Sequence, residues 1–425
     1  MKYKLSKYNV LFQENNKYYV SNTFSHSYIE LDKEEYLIIE SGNIEEFDDT
    51  TLGDLYKEGI CVEYDLDETG LLRYKYDIAK NSSEYMEFVI APTLECNFAC
   101  PYCFETKRHH FMDEETKRLI IDFYEEKIKE LSHKRVKLAW YGGEPLIRFD
   151  IVSEMTSKIN KINEEYGVMC DVVMTTNGYL ITKSIVDKME KLGFKYIQIT
   201  LDGPKEIHDR RRMLISGEGT YDRIVENIKL FKYSSVEVSV RINIDKDNSS
   251  SYKKIEDIIT GLGMNNIRCY PALVEFTPNQ AGCRECKCMT AEEFSKFASN
   301  DAKDFYFKNG GFNCSNVCVN CGAEHMNSYV IDDMGDVYKC WNSVGYESDR
   351  MFNLRNREEL NPIIISKYLG RDPFSEEECK ECPYIPICGG GCAYDYLFRG
   401  VHTCVPERFL YKEIIRKGDF ENENN

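Results

Sequence analysis

Three cysteines fall within eight residues, Cys96-Asn97-Phe98-Ala99-Cys100-Pro101-Tyr102-Cys103, and nothing else in the chain constrains it as strongly. The apolar run just before them, Phe88-Val89-Ile90-Ala91-Pro92, reads as a short buried strand. Thiols on a loop at a strand's carboxyl end can converge on one small object, and three thiolates suit a soft metal or an iron–sulfur cluster. A four-iron cluster has four corners, so three protein ligands leave one iron open. An open position serves chemistry, whereas a purely structural metal site is closed. The same spacing also fits a zinc knuckle that takes its fourth ligand from elsewhere.

The other cysteines narrow the class. Of eighteen, all but the isolated Cys61, Cys170 and Cys269 are bunched at 96–103, from Cys283 to Cys340, and from Cys379 to Cys404. The first residues, Met1 to Ser6, lead into a polar segment with no apolar signal core, so the clusters read as metal ligands and not as a secreted disulfide framework. So many thiolates imply low oxygen. The formal net charge of −18 argues against a nucleic-acid partner, because phosphate contacts need Lys and Arg. No apolar run reaches about 18 residues, so neither a membrane span nor a membrane partner is expected. A cytoplasmic location follows as an expectation.

In chain order, residues 1–80 read as a small unit. Val10-Leu11-Phe12 and Tyr18-Tyr19-Val20 flank the turn Glu14-Asn15-Asn16-Lys17, and Ser27–Leu31 makes a third strand. Asp32 caps a helix over 34–40, and Thr50 or Thr51 caps another ending at Gly59. Asn81–Glu84 is the linker. From there strands (87–93, 136–142, 171–176, 196–202, 236–244, 266–273) alternate with helices (114–131, 149–165, 182–192, 220–232, 250–262). That alternation predicts a parallel sheet with crossover helices, the α/β class. Chemistry in barrels of this kind lies at the carboxyl ends of the strands. A helix near 290–308 closes the 86–308 domain. Residues 309–410 are loop-rich and organised by cysteines, with a hairpin over 329–338, and 411–425 form a charged tail that frays from Arg416.

The C-x3-C-x2-C spacing with an aromatic before its last cysteine resembles the signature of radical S-adenosylmethionine enzymes. The resemblance implies a partial (β/α)6 barrel. Cys96, Cys100 and Cys103 would hold a [4Fe-4S] cluster whose open iron binds the amino and carboxylate groups of S-adenosylmethionine, and Tyr102 would lie against the adenine. Trp140-Tyr141-Gly142-Gly143-Glu144-Pro145 after the second strand resembles the family element that binds the methionyl amino group, through Gly142, Gly143, Glu144 and Pro145. Read from the residues alone it is a turn whose glycines allow close backbone approach to a ligand. Thr200 resembles the family's hydroxyl residue near the ribose or carboxylate; a plain strand-to-loop turn is the other reading. Arg241 and Asn243 share one face of the fifth strand, so Arg241 meets either the cofactor carboxylate or a structural partner. The run His208-Asp209-Arg210-Arg211-Arg212 reads as a solvated surface face.

The order Cys321, Gly335, Cys340, Cys379-x2-Cys382-x5-Cys388-x3-Cys392, Cys404 resembles the SPASM domain of peptide-modifying radical enzymes. It implies two auxiliary [4Fe-4S] clusters, three clusters in all. Cys379, Cys382, Cys388 and Cys404 would hold one. Cys321, Cys340 and Cys392 would hold three corners of the other, with Cys318 or Cys314 as candidates for the fourth and Cys318 preferred. Cys283, Cys286 and Cys288 exceed the pattern. Residues 1–80 resemble, by element order only, the winged-helix leader-recognition units fused to such enzymes; an N-terminal extension packed on the main domain is the alternative.

The resemblance implies an enzyme that cleaves S-adenosylmethionine to a 5′-deoxyadenosyl radical and takes hydrogen from a ribosomal precursor peptide. The expected product is an intrapeptide cross-link, a cysteine thioether first. The expected partners are the peptide and an electron donor such as flavodoxin or ferredoxin. The alternatives are carbon–carbon cyclisation and anaerobic sulfatase maturation, in which a cysteine or serine becomes formylglycine. In sulfatase-maturing enzymes an acid follows the second hairpin cysteine; here Trp341-Asn342 follow Cys340.

Overall fold

The computed structural model describes residues 2–274, 287–302, 319 and 321–422. Cys283, Cys286, Cys314 and Cys318 lie outside them. The chain folds into two compact units, divided at Asn81/Ser82 and again in the C-terminal region.

The first unit begins with β1 (Tyr3–Leu5), β2 (Asn9–Glu14), β3 (Lys17–Asn22) and β4 (Tyr28–Leu31). β2, β3 and β4 form an antiparallel meander. Glu14 pairs with Lys17, so the loop between β2 and β3 is Asn15-Asn16, both at positive φ, as a tight twisted hairpin requires. α1 (Lys33–Ser41) starts with a reciprocal capping box between Asp32 and Glu35. α2 (Asp49–Lys57) is capped by Asp48, whose side chain accepts from Thr51 N, and not by Thr50 or Thr51. The carboxylate one turn earlier takes the orphan amide. β5 (Cys61–Glu63), which pairs with β1, and α3 (Glu68–Lys80) complete this stretch.

The second unit alternates as its periodicity predicts: β6 (Tyr85–Ile90), α4 (Glu114–Glu130), β7 (Arg135–Trp140), α5 (Phe149–Tyr166), β8 (Met169–Thr176), α6 (Lys183–Lys191), β9 (Phe194–Thr200), α7 (Lys205–Arg211), α8 (Tyr221–Lys229), β10 (Glu237–Ile244), α9 (Tyr252–Gly261), β11 (Ile267–Leu273) and α10 (Ala291–Asp301). β6 to β11 lie side by side in sequence order, all parallel. Helices cover the sheet, so strand interiors such as Met86, Phe88, Val89 and Ile90 are wholly buried. The expected hairpin is present as β12 (Ser328–Ile331) and β13 (Asp336–Tyr338), followed by β14 (Phe352–Asn353) and α11 (Pro362–Leu369). β12 runs parallel to β6, with Ile331 opposite Ile90, and so extends the barrel sheet. The α/β architecture with a parallel core is as expected.

The remaining segment, from Arg371 through α12 (Ile385–Cys388) and α13 (Glu407–Asn422), folds with the N-terminal stretch. Tyr8, Leu72 and Tyr76 share a core with Phe374, Cys379 and Ile385, and Val10 and Phe12 share another with Ile387 and Tyr411. Arg371, almost wholly buried, pairs with Glu324 and Glu376, and Tyr76 donates to Glu324 at 2.8 Å. The N-terminal stretch also has a core of its own, around Val20, Leu31, Ile39, Leu55 and Ile60, beside the two it shares with the later segment. The expected split at 309–410 therefore divides: its hairpin joins the barrel sheet, and its later cysteines join residues 1–81. α13 continues to Asn422, anchored by buried Leu410 and Tyr411. Among the described residues no helix is long and apolar enough to cross a membrane.

Candidate active site

A cavity of about 530 Å³ opens at the carboxyl ends of β6 to β11. Cys96, Cys100 and Cys103 line it, on the loop that leaves β6. That loop is fastened to a distant segment by backbone bonds, Ala99 N to Met213 O at 2.9 Å and Ile215 N to Asn97 O at 3.0 Å. Asn177, at the end of β8, donates to the Asn97 side chain at 2.8 Å. Burial pushes the Cys96 thiol up to about 12 and the Cys103 thiol up to about 11. Burial also raises Cys100, against the pull of the Arg212 charge. A metal centre binding here has to displace these protons, so loading and thiol ionisation are one event.

Gly142 and Gly143 line the cavity and also make a close contact that the sequence did not suggest. A Cβ on Gly143 would lie 2.3 Å from the Glu95 carbonyl oxygen, and one on Gly142 2.5 Å from that of Thr93. Gly142 also has φ +114°. The glycines let the loop after β7 lie against the backbone of the cysteine loop, where Gly143 N donates to Thr93 O and Glu144 N to Glu95 O. Glu144 is wholly buried. Its carboxylate accepts from Leu146 N at 2.9 Å, Thr176 Oγ1 at 2.7 Å and Asn177 N at 2.7 Å. It ties the ends of β7 and β8 together, while burial pushes its pKa up. Pro145 is buried behind this turn, at the start of a short 3-10 helix, and does not line the cavity.

Tyr102 lines the cavity, and its hydroxyl is already committed. It donates to Asp202 at 2.5 Å and accepts from Arg212 Nη1 at 2.6 Å and Asn243 Nδ2 at 3.3 Å. The cysteine loop is thereby held to the ends of β9 and β10. Thr200 ends β9, buried and on the cavity wall. Arg241 and Asn243 share a face as predicted, and Arg241 Nε donates to the Asn243 oxygen at 2.8 Å.

The basic run at 208–212 is a surface face only at Arg210. His208 is wholly buried and Arg212 nearly so, and Arg211 pairs with Asp202 and Asp245. Sequence reasoning missed this because a charge run reads as solvated unless its partners are known; Asp202, at a strand's carboxyl end, was the available signal. Glu105, Tyr141 and Trp341 also line the cavity, with the two rings 4.0 Å apart. Burial pushes Glu105 up to about 8, against a hydrogen bond with Tyr141.

The residues fit the expected groups. The cavity is of ligand-binding size, three thiols stand at one side, and backbone lies open at the glycine turn. A buried cation, Arg212, presents an Nε with no hydrogen-bond partner. In the other unit Cys379, Cys382, Cys388 and Cys404 line one small cavity with His402 and Arg408. Cys392 is not on that cavity's wall. Cys340 is buried beside Tyr368, which hydrogen-bonds to it. Cys288 is half-buried, and Cys321 accepts from Ala323 N.

Residues 90–259 match the model of the radical SAM superfamily. The chain is 25% identical over 330 residues to the cysteine-type anaerobic sulfatase-maturating enzyme of Clostridium novyi, covering 70% of this chain and 84% of that protein. It is 33% identical over 297 residues to a GTP 3′,8-cyclase of Clostridium perfringens, covering 65% and 87%. Its fold is similar to that of native anSMEcpe with bound AdoMet and Cp18Cys peptide, with TM-score 0.61, 20% identity and coverage of 80% and 100%. It is also similar to Streptococcus suis SuiB bound to precursor peptide SuiA, with TM-score 0.52, 16% identity and coverage of 92% and 95%. With the three thiols gathered at the carboxyl end of a parallel sheet and these similarities beside them, the chain belongs to the radical SAM superfamily of enzymes.

Proposed function

We propose that this enzyme matures a ribosomal precursor peptide by closing a thioether from a cysteine to a carbon of the same peptide. Cys96, Cys100 and Cys103 hold the cluster, and the cavity wall from Gly142 through Thr200 to Arg241 receives S-adenosylmethionine. Bound there and given one electron by a flavodoxin- or ferredoxin-class donor, that group supplies a 5′-deoxyadenosyl radical. The chain's own residues orient the substrate carbon, exclude water and keep the cysteine loop rigid through Glu144, Tyr102 and Asp202. The peptide gives one hydrogen atom to the 5′ carbon, one thiol proton to solvent and one electron to an acceptor. Auxiliary clusters, when bound, would supply that acceptor. Cys379, Cys382, Cys388 and Cys404 hold one, and the SPASM-like cysteine order from Cys321 onward implies the other. The convergence of the first four thiols supports this pairing. β4 is an edge of its sheet, where a leader peptide can add as a strand. The setting is an anaerobic cytoplasm.

The observation that carries the thioether reading is Trp341-Asn342. They follow Cys340 on the cavity wall, where sulfatase-type chemistry has its acid. Sulfatase-type maturation is the second reading. It is favoured by the sulfatase-maturating relatives and by Glu105, an acid on the same cavity wall.

The test is mass spectrometry of a cysteine-containing precursor encoded beside the enzyme, incubated with reductant and S-adenosylmethionine. A loss of two hydrogens per link, with the donor cysteine resistant to alkylation, is expected. The same loss with every cysteine alkylatable refutes the thioether in favour of carbon–carbon closure. An aldehyde trapped by a hydrazine establishes the sulfatase-type reading. Reconstituted enzyme should hold about twelve irons, falling to about eight when Cys96, Cys100 and Cys103 are all Ala, with loss of 5′-deoxyadenosine.

A further inference from the structure

Arg212 is a buried cation that no carboxylate claims. Its exposure is 9%. Nη1 donates to the Tyr102 hydroxyl at 2.6 Å, and Nε is buried without a partner. No ion pair to Arg212 occurs among the described residues. Its neighbour Arg211 differs: it takes Asp202 at 3.3 Å and Asp245 at 2.5 Å. Asp202 is near Arg212 as well, but its side chain is engaged by Tyr102, Arg211 and the amide of Asn243. Burying a guanidinium with no hydrogen-bonded anion is strongly unfavourable, so such a group marks a place where negative charge arrives with a ligand.

The negative charge is identified by what shares the cavity wall. Arg212 lines the same cavity as the three thiols, and its Nη1 bonds to Tyr102, the residue that stands between Cys100 and Cys103 on the cysteine loop. A four-iron core of charge +2 on three thiolates carries a net −1, and its one-electron reduction makes that −2. The potentials of such clusters depend on net charge and on hydrogen bonds to the sulfurs.

We propose that Arg212 is the built-in counter-charge of the three-cysteine cluster, a positioning residue that stabilises the reduced form through its guanidinium, held beside the cysteine loop at Tyr102. Its Nη1 bond to Tyr102 holds the planar group in place, and the unpartnered Nε is the donor left for a sulfur of the loaded site. The inference rests on membership of the superfamily and not on the identity of the peptide. Wild-type protein with no S-adenosylmethionine-sensitive cluster signal would overturn that membership-based site, whatever the variants do.

The experiment is an anaerobic redox titration of reconstituted full-length protein, following the electron paramagnetic resonance component that changes on adding S-adenosylmethionine. Arg212→Gln should load the same iron and lower the midpoint by on the order of one tenfold step in the reduced-to-oxidised ratio, about 59 mV for one electron. Arg212→Lys, which keeps the charge, should restore most of the shift. Arg212→Gln with full iron and an unmoved midpoint overturns the proposal. If Arg212→Gln fails to load, a loaded Arg212→Lys with a near wild-type midpoint upholds the need for charge. Failure of both variants shows that the planar bond to Tyr102 is what matters, and overturns it.

Discussion

Gly143→Ala adds one methyl group at the point where two loops touch, and the structure fixes its effect. The new Cβ would stand 2.3 Å from the Glu95 carbonyl oxygen and 2.6 Å from the Glu95 carbonyl carbon. Ordinary contact needs about 3.4 Å, so the loops must separate by about 1 Å, and backbone on both sides cannot swing away as a flexible side chain can. Separation breaks the bond from Glu144 N to Glu95 O, now 2.8 Å, and moves Cys96, the next residue. Overpacking of this kind costs about 1–3 kcal/mol. A reacting constellation has to be held within about 0.5 Å, and a misplacement of about 1 Å costs on the order of 100-fold in rate. The assay is 5′-deoxyadenosine formed under excess reductant, with iron content and the urea midpoint measured on the same preparation. Gly53→Ala is the control: it lies in α2 with nothing within 4 Å of its Cβ, so the same change should be neutral or stabilising by about 0.5–1 kcal/mol. A Gly143→Ala enzyme that cleaves S-adenosylmethionine within twofold of wild type, at an unchanged midpoint, would refute the argument that the glycine pair sets the cysteine loop.

Tyr102→Phe removes the hydroxyl shared by Asp202, Arg212 and Asn243, leaving buried charged groups short of a partner. The expected loss is about 1–3 kcal/mol in urea unfolding, with a raised KM for S-adenosylmethionine; an unchanged midpoint would show the network to be incidental. His208 is buried as a neutral ring, accepting from Asp202 N at Nδ1 and meeting Thr220 Oγ1 at Nε2, and burial pushes its pKa down to about 4. Between pH 6.5 and 4 the unfolded chain then binds the proton that the folded ring refuses, so stability falls as pH falls through this window, by up to about 3 kcal/mol. His208→Gln should flatten that slope, and parallel pH profiles for the two proteins would exclude His208 as its source.

Local features were legible because they depend on neighbours in sequence. The spacing of Cys96, Cys100 and Cys103 places three thiols on one loop whatever surrounds it, and strand–helix alternation forces a parallel sheet, so the barrel and its cysteine loop could be read directly. Cap chemistry was legible to within a turn: Asp32 was identified, while Asp48 was passed over for Thr50 and Thr51. Three-residue strands such as β1 and β5 escaped notice because they are too short to show a period.

What only the tertiary structure decided are the questions of partnership. Whether Arg211 and Arg212 face water depends on Asp202, Asp245 and Tyr102, which come from three other elements. That Gly142 and Gly143 also meet a neighbouring loop depends on where Thr93 and Glu95 lie. The division of the C-terminal region, with β12 pairing with β6 while Cys379 joins the core of Tyr8 and Tyr76, depends on partners far away in the chain. The chain's own order fixes which residues are adjacent. Burial of charge and closure of a core are settled between segments hundreds of residues apart, because desolvation is offset only by the groups that fill the space.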